Sequence, residues 1–237
     1  MDRVAVVTGG SRGVGLSVVR TLLEAGWRVH AHYRTQPADI IHDRLTWWQA
    51  DFTQGLPTAQ ASGFPELPRI DALIHCAGVA TLGSCASLER DEWERHMAVN
   101  LHSPVQLTRQ LLPQLRANHA HVVYINSGAG KRANPQWGAY AASKFAARAW
   151  CDALRQEEPE ITVTSIFPGR IATDMQKPSL STKAIATTLR TSLLPPLWLT
   201  VFSTASALVL MPSSLRLSSD RGCKISHYAQ TFGAPRK

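Results

Sequence analysis

The feature that most constrains the fold lies near the start of the sequence, where an apolar run ends in glycines and a helical pattern follows. Residues 3–8 (RVAVVT) are rich in β-branched valine and predict a short strand. Residues 14–26 (VGLSVVRTLLEAG) repeat apolar positions at helical spacing, and Gly26 stands where a helix C-cap is expected. Between them, TGGSRGVG (8–15) forms a strand–turn–helix junction at which backbone N–H groups can meet an anion. A junction of this kind is typical of a parallel α/β sheet.

The alternation of strand and helix continues along the chain. Further strands are predicted at 27–33, 45–50, 71–78, 121–127 and 161–169, and helices at 88–117 and 138–156. Pro104 predicts a local kink in the long helix rather than its end. The chain shows no internal repeat and no linker. The pattern therefore predicts a single domain over 1–237 with a doubly wound, Rossmann-like parallel sheet between two layers of helices, a three-layer αβα arrangement.

Conspicuous residues follow the predicted strands at the point where each strand ends. Ligands of such sheets bind outside the carboxyl ends of the strands, near the switch in strand order. The residues concerned, in chain order, are Ser11 to Gly15, Arg34, Asp51, Gly78, Ser127 and Pro168–Gly169. Because these ends meet at one edge of a parallel sheet, we expect a binding site there.

A tyrosine and a lysine stand four residues apart in GAYAASKFAARAW (138–150), an alanine-rich run with helical spacing. Four residues make about one helical turn, so Tyr140 and Lys144 project from the same face. The same spacing is common on solvent-exposed helices, so only the surrounding motifs can decide between a surface pair and an acid–base pair.

Together these motifs resemble the short-chain dehydrogenase/reductase family, in its short single-domain form. The resemblance rests on T-G-x-x-x-G-x-G at 8–15, a serine thirteen residues before the tyrosine, Y-x-x-x-K, and the Pro-Gly pair that follows the sixth strand. It covers about residues 3–176. It implies an oxidoreductase that passes a hydride between a nicotinamide cofactor and a carbonyl or secondary alcohol.

The resemblance also implies roles for four residues. Tyr140 is the general acid/base, Lys144 is its partner and bonds the nicotinamide ribose, Ser127 holds the substrate oxygen, and Asn100 supports a water-linked proton relay. A phenol titrates near pH 10. We therefore expect the Lys144 ammonium and the charge of the nicotinamide to lower the pKa of Tyr140.

Cofactor contacts follow from the same resemblance. The implied set is Gly9, Ser11, Arg12, Gly13, Val14, Gly15, Arg34, Asp51, Ala77, Gly78, Tyr140, Lys144, Pro168, Gly169 and Thr173. Arg12 and Arg34 can clamp an adenosine 2′-phosphate, which favours NADP(H) over NAD(H), although Arg34 could also be merely solvated. Asp51 is expected at the adenine amino group, or else as a turn-forming aspartate. Thr173 is expected at the nicotinamide carboxamide or the phosphates.

One motif departs from the family pattern. Residues 75–78 read His-Cys-Ala-Gly where the family often has Asn-Asn-Ala-Gly. We expect His75 to be packed rather than catalytic and Cys76 to act as a small buried apolar residue. Ala77 and Gly78 still allow the backbone to pass close to the adenine ribose.

Composition narrows the class of protein. The chain has 44% hydrophobic and 18% charged residues, as ordinary globular proteins do. Its net charge of +8 is uneven, since residues 1–175 hold 17 basic and 16 acidic residues, whereas 176–237 hold 8 basic residues and only Asp220 as an acid. Without a compact cluster of Lys and Arg with interleaved aromatics, nucleic-acid binding is not predicted. The four cysteines have no metal-like spacing, so we expect reduced thiols and no metal.

The first residues lack the charge and apolar pattern of a signal peptide, so we expect a cytoplasmic location. A small-molecule substrate is implied, and members of the family usually form homodimers or homotetramers through the helices at 88–117 and 138–156. Substrate specificity is expected from about 79–90, 128–137 and 176–199. An alternative for the whole chain is a non-catalytic NADP(H)-binding regulator or scaffold.

The segment 177–237 fits the family poorly. Residues 200–211 could be its last helix and 223–228 its last strand, but the usual acidic and glycine residues are missing. Residues 191–215 carry no charge, which raises a membrane-associated reading, yet the longest stretch without proline or charge is 197–211, short of the ~20 residues that a spanning helix needs. A buried helix or substrate lid is the favoured interpretation, and a shifted reading frame is a further one.

Overall fold

The computed structural model describes residues 2–56 and 67–168. All of them belong to the first of two units into which the chain divides, Met1–Arg190 and Thr191–Lys237. The described strands are β1 (Val4–Thr8), β2 (Arg28–Tyr33), β3 (Leu45–Gln49), β4 (Ala72–His75), β5 (His121–Ile125) and β6 (Thr162–Ile166). The α-helices are α1 (Gly13–Glu24), α2 (Arg90–Met97), α3 (Ser103–Ala117) and α4 (Gly138–Glu157).

The strands form one six-stranded sheet in the order β3-β2-β1-β4-β5-β6, and every neighbouring pair is parallel. Strand β1 lies near the centre, where Ala5 is in register with Val29 of β2 and Ala72 of β4. All five residues of β1 are buried, as expected for a strand covered on both faces. The doubly wound, Rossmann-like α/β fold predicted from the sequence is confirmed.

The strand order places helices on both faces of the sheet. The chain moves outward from β1 through β2 to β3 and then returns to β4, from which it runs outward the other way to β6. Because parallel crossovers are right-handed, α1 covers one face while α3 and α4 cover the opposite face. The reversal lies between β1 and β4, and this places their two following turns side by side at the carboxyl edge.

The long helix predicted at 88–117 is interrupted before Pro104. One turn of π-helix, Ala98–His102, separates α2 from α3, and the Ser103 N–H reaches back five residues to the Ala98 carbonyl. Pro104 has no N–H and therefore occupies the first turn of α3, where none is needed. The predicted local distortion is present, but it takes the form of a π turn before Pro104 instead of a kink at it.

Strands β4, β5 and β6 end at His75, Ile125 and Ile166, within the predicted segments 71–78, 121–127 and 161–169, and each gives way to a turn that carries predicted site residues. The predicted His75 packing is confirmed, since His75 is 2% exposed and its Nε2 lies 2.9 Å from Thr108 Oγ1. The helix and strand predicted at 200–211 and 223–228 lie outside the described residues. Within 2–56 and 67–168, no helix is both long and apolar enough to cross a bilayer.

Candidate active site

The glycine-rich turn between β1 and α1 is shaped by positions that tolerate only glycine. Gly9 and Gly13 have φ of +66° and +56°, in the left-handed region. At Gly15, a Cβ would collide with the carbonyl oxygen of Gly9. Helix α1 starts at Gly13 with no side-chain cap from Arg12 and no acidic residue in its first turn. Its first N–H groups are thus left for an external anion, as a pyrophosphate requires.

The turn after β4 packs directly against the glycine turn. The hydroxyl of Thr8 accepts hydrogen bonds from the backbone N–H groups of Cys76 and Ala77, at 3.1 and 3.2 Å. A Cβ on Gly9 would lie 2.8 Å from Ala77 Cα, so the two backbones meet with no room for a side chain. Gly9 and Ala77, two predicted cofactor residues 68 positions apart, therefore lie in one surface.

A histidine that the sequence did not single out supports the glycine turn from behind. The Gly9 N–H donates to Nδ1 of His32 at 3.0 Å, so the opposite nitrogen, Nε2, carries the proton and donates to the Ala50 carbonyl at 3.0 Å. Burial lowers the pKa of His32 to about 4, which keeps the ring neutral. The His32 ring also stacks on Phe52 at 4.1 Å. His32 thereby fixes the glycine turn relative to the loop that carries Asp51.

The residues expected at the adenosine end are exposed. Arg12, Arg34 and Asp51 all lie on the surface, after the glycine turn, β2 and β3 respectively. Asp51 Oδ1 accepts bonds from the N–H and hydroxyl of Thr53, at 3.0 and 2.8 Å. These bonds, with the nearby charge of Arg34, lower the pKa of the Asp51 carboxyl. The turn-forming role of Asp51 is therefore present, and its Oδ2 is not used in that turn.

Ser127 and Tyr140 come together at the ends of β5 and α4. Ser127 begins a short 3₁₀ turn after β5, and its Oγ accepts a hydrogen bond from the Ala129 N–H at 3.1 Å. Burial raises the pKa of the Tyr140 phenol above its ordinary value, and a hydrogen bond with Ser127 partly opposes that rise. The expectation that Lys144 lowers this pKa is not met in the protein alone. The tyrosine is a protonated phenol at neutral pH.

The Tyr140 ring is held between two aromatic neighbours. Trp137 lies 5.8 Å away between ring centres and His96 lies 6.3 Å away. His96 is fully buried, and its Nε2 accepts a hydrogen bond from the Thr81 N–H at 2.9 Å. His96 therefore ties α2 to the loop after β4 on the flank of Tyr140.

Lys144 is directed into the protein rather than toward solvent. It is 4% exposed, and its ammonium donates to Tyr124 Oη and to the Ile125 carbonyl, each at 3.1 Å. Burial lowers the pKa of Lys144 to about 8. A surface role for Lys144, the alternative for an isolated tyrosine–lysine spacing, is wrong.

Asn100 lies in the π turn and connects the loop after β4 to α4. Its Oδ1 accepts from the Val79 N–H at 2.9 Å, and its Nδ2 donates to the Val79 carbonyl and to Ser143 Oγ, at 3.0 and 2.9 Å. Ser143 in turn donates to the Tyr140 carbonyl at 2.7 Å. All hydrogen-bonding atoms of the Asn100 side chain are thus engaged within the protein, between Gly78 and the Tyr140–Lys144 turn.

Most of the predicted site residues occupy the carboxyl edge of the sheet. Ser11 and Val14 flank the glycine turn, and Pro168 is half-buried two residues beyond β6. Gly169 and Thr173 lie outside the described residues. A Cβ on Gly78 would stand 3.3 Å from Asn100 Oδ1 and 3.8 Å from Lys144 Nζ, so the predicted cofactor residues and the predicted acid–base residues lie next to each other.

Four residues that stabilise the site were missed in the sequence. They are His32, Tyr124, Asn126 and Ser143. Tyr124 and Asn126 lie in the largely apolar predicted segment 121–127, and Ser143 reads as one more small residue of α4. Asn126 accepts from the Ser127 N–H at 2.8 Å and donates to the Lys144 carbonyl at 3.2 Å. The one signal available in the sequence was a polar residue, such as His32 or Asn126, within a segment predicted to be buried. A buried polar group must find a hydrogen-bond partner in the protein.

The site fits a dinucleotide. The glycine turn leaves no space for side chains, the start of α1 is uncapped, and Ser127, Tyr140 and Lys144 stand at the same edge. This fold and this arrangement define the class of nicotinamide-dependent oxidoreductases that act on alcohols and carbonyls. A family model described as short chain dehydrogenase matches residues 3–184, and the chain belongs to that family.

Relatives and solved structures agree with the assignment. A glycine betaine reductase of Emericella nidulans is 34% identical over 199 residues, 77% of this chain, and a dehydrogenase/reductase SDR family protein 7-like of Drosophila melanogaster is 32% identical over 196 residues, 76% of this chain. The chain spans 15% and 60% of the lengths of these two proteins. A short chain dehydrogenase structure from Shigella flexneri, complexed with NADP, superimposes with a TM-score of 0.63 at 26% identity, covering 74% of this chain and 80% of that one.

Proposed function

We propose that the protein is an NADP(H)-dependent oxidoreductase that reduces a carbonyl, or oxidises the corresponding secondary alcohol, with Tyr140 as general acid/base. The observation that carries the proposal is the position of Ser127 beside the phenol of Tyr140, close enough to lower the pKa of the phenol, one helical turn from buried Lys144. A hydroxyl pair of this kind can receive a substrate oxygen between its two members. The nicotinamide cofactor, when bound, supplies the hydride chemistry.

The residues of the chain supply binding, orientation and the proton. The N–H groups at the start of α1 bind the pyrophosphate, and Arg12 and Arg34 favour a 2′-phosphate. Ser127 orients the substrate oxygen toward the Tyr140 hydroxyl. Because burial raises the pKa of Tyr140, the phenol carries its proton at neutral pH and is ready to donate it to the oxygen during reduction. In the oxidative direction the Tyr140 phenol must lose its proton before it can accept one from the alcohol. An adjacent positive charge favours that loss.

Replacement of Tyr140 tests the proposal. NADPH consumption is measured across a panel of ketones and aldehydes for the parent protein and for Tyr140→Phe, together with NADPH affinity for both. We expect Tyr140→Phe to lose at least about 100-fold in kcat, since a general acid commonly contributes 10²–10⁴-fold. Affinity for NADPH should change much less. Normal turnover by Tyr140→Phe contradicts the assigned role.

The same measurements separate an enzyme from a regulator. A parent protein that binds NADPH but turns over none of the panel supports the non-catalytic alternative, in which the fold and the cofactor site are kept without chemistry. The hydrogen-bonded Ser127 and the buried, hydrogen-bonded Asn100 and Lys144 favour the enzyme.

A further inference from the structure

Lys144 is a buried cation that uses two of its three N–H donors within the protein. An ammonium has three N–H donors. Two of them point to Tyr124 Oη and the Ile125 carbonyl, each at 3.1 Å, so one remains for the front of the site. Among residues 2–56 and 67–168, Lys144 forms no ion pair with a carboxylate. The charge is therefore held by neutral oxygens and by the Tyr124 ring, whose centre lies 4.7 Å from Nζ.

The orientation of the Tyr124 hydroxyl is fixed by the backbone. Tyr124 is 1% exposed and donates its single proton to the Asn100 carbonyl at 2.6 Å. That carbonyl is open to an outside donor because Pro104, four residues on, has no N–H. With its proton committed, the hydroxyl can only accept from Lys144. A group that can only accept stabilises the ammonium form of lysine over the neutral amine.

The other titratable groups around Lys144 add little charge. Cys76 follows β4, and Cys151 and Tyr140 lie on α4 with Lys144 itself. Burial raises the thiol pKa of Cys76 to about 12 and that of Cys151 to about 11, and it raises the pKa of Tyr140. All three are neutral at pH 7, while burial works against the ammonium of Lys144. The two oxygen acceptors are what oppose this effect of burial.

We propose that Tyr124 is a positioning residue that holds the Lys144 ammonium charged and directs its remaining N–H toward the reacting end of the site. The proposal rests on the proposed function for its catalytic meaning. It goes beyond the Ser127–Tyr140–Lys144 set, because Tyr124 touches neither a substrate nor a cofactor position and acts only through Lys144 and Asn100.

Removal of the Tyr124 hydroxyl should destabilise the ammonium form of Lys144 relative to the neutral amine. In Tyr124→Phe the ammonium keeps only the Ile125 carbonyl, and a hydrogen bond to a charged group is worth roughly one pH unit of titration midpoint. We expect the Lys144 midpoint, near pH 8 in the parent, to fall by about one pH unit. The alkaline limb of the kcat profile for carbonyl reduction should move by the same amount.

Lysine-labelled protein allows the charge to be measured without turnover. The chain has six lysines, so a ¹³Cε-lysine NMR spectrum is simple, and Lys144→Met assigns the resonance. The titration is recorded for the full chain as parent, Tyr124→Phe and the control Thr108→Val. The control removes another buried hydroxyl, that of Thr108, which is hydrogen-bonded to His75 and not to Lys144. We expect a lower midpoint in Tyr124→Phe and an unchanged one in Thr108→Val.

A midpoint within 0.3 pH units of the parent, in a folded Tyr124→Phe protein, overturns the proposal (about a third of the expected shift). If that variant fails to fold by circular dichroism, Pro104→Ala decides. An alanine N–H at 104 competes for the Asn100 carbonyl, frees the Tyr124 proton and should lower the Lys144 midpoint by a smaller amount. No shift there overturns the proposal as well. If neither the parent protein nor any variant turns over a substrate, the proposed function is refuted. The NMR midpoints still decide the role of Tyr124.

Discussion

Truncation of Asn100 should separate the loop after β4 from α4. The Asn100 side chain is fully buried and makes three hydrogen bonds, two with the backbone of Val79 and one with Ser143 Oγ. In Asn100→Ala, the N–H and carbonyl of half-buried Val79 lose their side-chain partners. Ser143 keeps its bond to the Tyr140 carbonyl and so loses less.

The expected loss of stability follows from those three bonds. A buried hydrogen bond contributes a net 0.5–1.5 kcal/mol, and a buried group left without a partner costs about 1–3 kcal/mol. Because Val79 is only half-buried, water can partly replace the lost partners, so the two backbone groups and the weakened hydroxyl predict a loss in the lower part of the possible range, about 2–4 kcal/mol in the free energy of unfolding. For a domain of this size, that corresponds to a fall in Tm of about 5–15 °C.

Thermal unfolding followed by circular dichroism measures this loss, with Asn118→Ala as the matched control. Asn118 also donates to a backbone carbonyl, that of Gln114, at 2.7 Å, but it makes one bond and ends α3 away from the site. We expect Asn118→Ala to lower Tm by no more than about 4 °C. If the two variants lose the same amount, Asn100 does not connect the loop to α4 in the way the hydrogen bonds indicate.

Three further predictions concern the cofactor end. Gly15→Ala places a methyl group against the Gly9 carbonyl. Because overpacking commonly costs 1–3 kcal/mol, calorimetry should show NADPH binding weakened at least about tenfold. In the control Gly128→Ala the methyl group enters open space, and NADPH should bind normally. Arg34→Asp should weaken NADPH by about 10–100-fold and leave NADH within about threefold, because only NADPH carries the 2′-phosphate; equal losses for both would remove Arg34 from the 2′-phosphate site. For His32, whose pKa is lowered to about 4, the unfolded chain binds a proton first as pH falls from 6.5 to 4, so stability is full above pH 6.5 and decreases across that window. His32→Asn should therefore reduce the slope of Tm against pH between 6.5 and 4 without abolishing it, since buried His121 has a similar pKa of about 4, and an unchanged slope would show that the His32 ring is not held neutral.

Much of the fold could be predicted because its signals are local. The valine-rich run of β1, the glycines after it and the alternation of strands with helices each depend on neighbouring residues, and together they predict the sheet and its carboxyl edge. The spacing of Tyr140 and Lys144 was equally local. Their burial was not, since it depends on how α4 packs against β5.

The missed residues depend on contacts between distant segments. Tyr124 looks like one more apolar residue of β5, and its hydroxyl acquires a role only because Asn100 and Lys144 reach it from 24 and 20 residues away. His32 likewise needs Gly9 and Ala50 to show its orientation. The raised pKa of Tyr140 arises from burial, which no spacing reveals.

The π turn at Ala98–His102 has a consequence for how this gene can vary in length. A π turn completes one revolution of the helix with one residue more than an α turn needs. Loss of a single codon within this turn would convert it to regular helix. Because the α turn completes the same revolution, the side chains of α3 would keep their directions, and only the turn itself, with Asn100, would change its geometry. The packing of α3 on the sheet should therefore survive a deletion of three nucleotides in this turn, whereas the hydrogen bonds between Asn100 and Val79 and between Tyr124 and the Asn100 carbonyl should not.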